Sequence, residues 1–188
     1  MTTVASPRLV RPAGLWCAAG AAVMVVVSLI TVLDDSLGRP GTWAFRYSGI
    51  VLVAGHLLVF AGILALARSG VAGSGPLSRI GLLVAAGGAL LIAAAELILR
   101  FAFDLGEVFF GIGTPLAGVG LVLGGVGVLR AGRWSGPRRF VPLLCGLYVF
   151  AVLYPAETLA GGASYPAIAG WNLCFVLLGA AIAVDLQR

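Results

Sequence analysis

Residues 80–103 read IGLLVAAGGALLIAAAELILRFAF, and how this stretch is read decides the fold. Positions 80–95 contain only Gly, Ala, Val, Leu and Ile. A helix of about 20 predominantly apolar residues crosses the hydrocarbon of a bilayer. Gly81, Ala85, Ala89 and Ala93 recur every fourth residue, which puts small side chains on one helix face. Rows of this kind let helix backbones approach closely in lipid. Glu96 follows Ala93 by three positions and shares that face, so it is expected to point into a helix bundle. Arg100 follows at i+4, the favourable order for an acid–base pair on a helix.

The rest of the chain repeats the pattern. Hydrophobic residues make up 61% of the 188 positions and charged residues 10%, and mean hydropathy is +1.10, far outside the soluble globular range. Six spans are predicted, at roughly 14–33, 47–67, 80–103, 108–129, 141–160 and 166–184. The fold class is therefore all-α: a polytopic six-transmembrane-helix bundle, with 1–188 as a single transmembrane domain. The first span follows Arg8 and Arg11 as a signal peptide would. It has no small-x-small cleavage site at its end, immediately before Asp34–Asp35, and is read as a retained helix. Gly14, Ala18 and Ala22 in this span and Gly120-x-x-x-Gly124 in the fourth extend the close-packing pattern.

Arginine supplies all the basic residues, and its distribution sets an orientation. Arg8, Arg11, Arg68, Arg79, Arg130, Arg133, Arg138, Arg139 and Arg188 fall on one side of the predicted bundle; Arg39, Arg46 and Arg100 fall on the other. The expectation is a bacterial cytoplasmic-membrane protein with both termini cytoplasmic. A net charge of +5 is then a topology signal, since the arginines lie between apolar runs and form no soluble face for nucleic acid. Cys17, Cys145 and Cys174 lie inside apolar runs with no C-x-x-C spacing, so neither a disulfide framework nor a zinc site is expected. A single histidine excludes a bis-histidine haem, and the lack of lysine excludes Schiff-base chemistry. No metal and no cofactor is expected.

Chemistry must come from the few polar residues in or near the spans. Glu96 reads either as a structural ion pair with Arg100 or as a reactive carboxyl, the latter only if Arg100 turns away toward the headgroups. Glu157, in YPAE, is the first candidate for a protonated acid, or else a solvated loop carboxylate; Asp104 and Glu107 follow. His56 is expected near the middle of the second span, either bonded to a neighbouring helix or acting in proton transfer. Asn172 bonds across helices or orients a substrate. Tyr154, Trp171, Phe101, Phe103, Phe109 and Phe110 gather toward the outer side, as an interfacial belt or as the lining of a cavity.

AGHLL around His56, AAAE ending at Glu96 and PLLCGLY at 142–148 resemble the small six-helix membrane proteins of actinobacteria. In size and helix count the chain is also similar to the small bacterial membrane terpene cyclases. That resemblance implies isomerase- or lyase-type chemistry in terpenoid biosynthesis on a lipophilic prenylated small molecule. Such a reaction is started by a neutral carboxylic acid and guided by aromatic faces that stabilise cations. Glu157, Glu96, Asp104, Glu107 and His56 would be the catalytic set. Tyr154, Trp171, Asn172, Phe101, Phe103, Phe109, Phe110 and Arg100 would bind substrate. ELILR at 96–100 lacks the second glutamate of CAAX-type intramembrane proteases, and GGASYP lacks a rhomboid serine context. Two alternatives stay open: a proton-coupled transporter using Glu96 and His56, and a non-catalytic subunit bound to a partner protein.

Overall fold

A computed structural model describes residues 7–185, with side chains described for 10–184. Every regular element among them is helical: α1 (Pro7–Leu33), α2 (Trp43–Arg68), α3 (Pro76–Ile98), α4 (Phe103–Ala131), α5 (Val141–Tyr148), α6 (Tyr154–Ala160) and α7 (Tyr165–Asp185). Short 3₁₀ turns occupy Asp35–Leu37 and Pro137–Phe140, and a π-turn, Val149–Leu153, joins α5 to α6. Six helical stretches are long and apolar enough to cross a membrane, with Pro137–Ala160 counted as one. The side chain of Arg8 and all of Arg188, both used in the orientation argument, lie outside the described residues.

The boundaries differ from the sequence expectation for local reasons. The third helix stops at Ile98 and does not run to 103. Phe101 N–H donates to Ile98 O at 2.9 Å and Ala102 N–H to the same carbonyl at 2.8 Å, a tightened turn that lets the chain reverse. The fifth span is interrupted: Tyr154 N–H reaches back five residues to Val149 O. Pro155 explains the position, because it has no N–H for the carbonyl four residues earlier. Thr42 starts α2, its hydroxyl accepting from Phe45 N–H at 3.0 Å, the expected N-cap geometry.

Neighbouring helices run antiparallel and close into a ring: α1 beside α2, α2 beside α3, α3 beside α4, α4 beside α5, and α7 between α5 and α1. Small residues make these contacts possible. A Cβ on Gly81 would lie 2.9 Å from both Gly120 O and Gly124 N, so α3 and α4 meet backbone to backbone. Gly14 and Ala18 meet α7 at Gly179. Ala22, expected in the same row, is exposed. The buried face of α1 instead runs Val10, Gly14, Cys17, Ala21, Met24, Ser28 and Thr31. These steps alternate four and three residues, the seam of a helix that winds along its neighbours. Ser28 and Thr31 satisfy their hydroxyls on the carbonyls of Met24 and Val27, each at 2.8 Å. Trp134 closes the far end of the bundle, fully buried in the core with Val71 and Ala72.

Candidate functional site

At the opposite end, where α2 begins and α3 finishes, a polar centre is built into the packing. Glu96 sits in the last turns of α3 on the buried face that its spacing from Ala93 requires, and its side chain is 9% exposed. Arg100 does not turn away. Its Nη2 donates to Glu96 Oε2 at 3.1 Å, with the arginine side chain only 8% exposed. The ion-pair reading of this segment is the observed geometry.

Two residues of α2 make the space for this arginine. The Thr42 cap places Phe45 in the first turn, and the Arg100 guanidinium lies 4.0 Å from the centre of the Phe45 ring. One turn on, Gly49 has no side chain; a Cβ there would stand 2.8 Å from Arg100 Cζ. Glycine at 49 is thus needed for the close approach of the guanidinium to the α2 backbone. Ser48 ties the same turn to the preceding loop through Leu37 O at 3.4 Å. Tyr165, at the start of α7, places its hydroxyl against Gly38.

Arg100 borders a cleft of about 510 Å³ between α2 and the end of α3. Arg46, Gly49, Ile50 and Val53 line one side and Leu97, Arg100 and Phe101 the other. Arg100 Nε is buried without a hydrogen-bond partner. Its guanidinium has five N–H donors in a fixed fork, and the Glu96 bond uses one. The side chain of Arg46, one turn before Ile50, makes no ion pair or hydrogen bond among the described residues. Sequence reasoning used Arg46 only for topology and missed it here; its i, i+4 relation to Ile50 was the available signal.

The other expected residues are dispersed. His56 Nδ1 meets Leu52 O of its own helix at 2.9 Å, so the expected bond to a neighbouring helix is replaced by a local one. Nδ1 then carries the proton and Nε2 is left as the acceptor in the neutral ring. No hydrogen bond links His56 to Glu96 among the described residues. Asn172 is buried on α7 and makes no side-chain hydrogen bond there, against the expected cross-helix bond. Glu157 lies on α6, half-buried, with no cation against it among the described residues. Asp104 and Glu107 are exposed at the start of α4.

The aromatic residues divide in the same way. Phe101 and Phe103 are exposed, while Phe109 and Phe110 are half-buried on α4. Tyr154 stands beside Phe150, ring centres 6.2 Å apart. Trp171 is a packing residue: its Nε1 donates to Cys145 O at 2.9 Å, and its ring meets Phe175 edge-on at 5.2 Å. Of these rings, Phe101 lines the α2–α3 cleft together with Arg100. The three cysteines are buried, unbridged and bonded to backbone carbonyls. Among the described residues no three of His, Cys, Asp and Glu are placed to hold a metal ion. No family model, no curated protein and no solved structure matches the chain.

Proposed function

We propose that this chain is a multi-pass protein of the bacterial cytoplasmic membrane, both termini cytoplasmic, that binds a lipophilic small molecule from the outer leaflet. The observation that carries the reading is an apolar cleft lined by Arg100, whose guanidinium is held from behind by the buried Glu96. A charged pair inside a helix bundle is costly to desolvate, and intramembrane ionisable residues mark ligand and proton pathways. Ile50, Val53 and Leu97 make the cleft walls lipid-like, so a ligand that enters from the bilayer loses no hydrophobic contact. The arginine distribution supports the orientation, placing this end outward.

The reading extends to catalysis as a proton-initiated, metal-independent prenyl-chain cyclase. Such a reaction needs a carboxylic acid that gives its proton to an alkene or epoxide and takes one back at the end. Glu157, on α6 and outside the lining of the α2–α3 cleft, is the donor candidate with no cation against it among the described residues, whereas Arg100 already engages Glu96. The test is turnover in proteoliposomes across prenylated aromatic and epoxidised polyprenyl substrates, with products identified by mass spectrometry and NMR. Cyclic isomers formed by wild type and lost in Glu157→Gln are expected. Products that persist in both Glu157→Gln and Glu96→Gln would remove the acid assignment. No product from any substrate, with the ligand still bound, would reduce the reading to binding alone.

A further inference from the structure

We infer that the cleft between α2 and the end of α3 is a head-group site for a phosphate-headed prenyl or acyl chain, held by Arg46 and Arg100. This rests on the lipophilic-ligand reading above and adds the chemistry of the head. Three features of the site carry it. The Arg100 fork is oriented in advance by Glu96, Phe45 and Gly49: Nε is packed without a partner against Gly49, and of the Nη groups the only bond to protein is that of Nη2 to Glu96. Glu96 balances the charge of Arg100, so the free positive charge at the site is Arg46, which lines the same cleft without an acidic partner. Ile50, Val53 and Leu97 continue away from the two guanidiniums as an apolar wall.

That order, cation then hydrocarbon, matches an amphiphile with an anionic head. Two guanidinium forks suit the several oxygens of a phosphate, where planar bidentate recognition adds specificity. A second hollow shares Arg46 and Ile50 and is bordered by Gly41, Trp43 and Tyr47. It gives the head an opening at the level where tryptophan and tyrosine sit in a membrane interface. Asp35, the acid nearest to Arg46 in sequence, is occupied by Arg39.

The test uses the full chain in phosphatidylcholine nanodiscs, with geranylgeranyl phosphate and geranylgeraniol as probes that share a chain and differ in the head. Native mass spectrometry counts the retained ligand. Wild type is expected to prefer the phosphate on the order of tenfold, the effect of one charge-assisted hydrogen bond. Arg46→Gln, an exposed substitution that leaves the packing intact, should abolish most of that preference. Val53→Trp, which fills the cleft, should lose both probes. Displacement of the phosphate probe by phosphatidylglycerol would support a site filled by bilayer lipid; retention against it would support a prenyl phosphate.

Equal retention of both probes, with both lost in Val53→Trp, overturns the head-group assignment and leaves the lipophilic-ligand reading standing. An unchanged preference in Arg46→Gln overturns it as well. Retention of neither probe by folded protein overturns both readings.

Discussion

At the residue scale, the Glu96–Arg100 pair is held by what surrounds it. Removing one member of a buried pair strands the other charge, at about 3–5 kcal/mol, whereas replacing both is far milder. Arg100→Gln is therefore expected to lower stability in detergent more than Glu96→Gln/Arg100→Gln together, as read by denaturant unfolding. If the two variants were equally destabilised, the coupling would be absent. Gly49→Ala is a second probe of the same contact. Its Cβ must displace the flexible guanidinium from this position, so the cost is expected near the low end of overpacking, about 1 kcal/mol. A pH effect belongs to the loop. The Ser36 backbone N–H, at 3.0 Å, holds the Asp34 carboxyl below the usual carboxylate range. The turn is therefore secured above that range and released as pH falls through the lowered pKa. An NMR titration should show the Ser36 amide shifting only in acid; a shift centred at or above the ordinary carboxylate range would contradict the bond.

At the scale of elements, glycine has opposite meanings on two faces of α3. Gly81 faces the α4 backbone, while an added Cβ on Gly87 meets nothing within 4 Å. Gly81→Ala should push the helices apart and cost about 1–3 kcal/mol. Gly87→Ala should raise stability by roughly 0.5–1 kcal/mol through helix propensity alone. Melting temperatures of the two variants in one detergent test this, and shifts of the same sign would refute the packing assignment. The four-residue spacing of small residues was legible in the sequence, yet it could not say which rows are used. In α3 the row through Gly81 and Ala85 meets α4. In α1 the row ends at Ala18, because the seam continues through Ala21 and Met24 instead of Ala22. Spacing names a face; only the neighbouring helix decides whether it is covered.

For the whole molecule, the ring of helices makes topology a single decision: once one loop is assigned to a side, the alternation assigns the others. With nine of twelve arginines assigned by the sequence to the side expected for the termini, a C-terminal fluorescent-protein fusion is expected to fluoresce. A phosphatase fused in the turn at 161–164 is expected to be active, since both reporters depend on compartment. The reverse pattern would invert the bundle and place the Arg46–Arg100 cleft in the inner leaflet.

By itself the sequence determined the helical class and the number of helices long and apolar enough to cross a membrane, and it placed Arg100 at i+4 from Glu96, within reach of a pair. Each follows from local information: apolar length, composition, and an i, i+4 step along one helix. It did not determine that the aromatic residues would scatter, with Trp171 in the core and Phe101 at the surface. Nor did it show that His56 would bond within its own helix or that Arg46 would join Arg100 at one cleft. Those outcomes depend on how α2 and α7 are rotated and tilted against their neighbours. In helices that are apolar on nearly every face, periodicity leaves rotation undetermined, and close contacts such as Gly49 against Arg100 and Gly81 against Gly120 fix it.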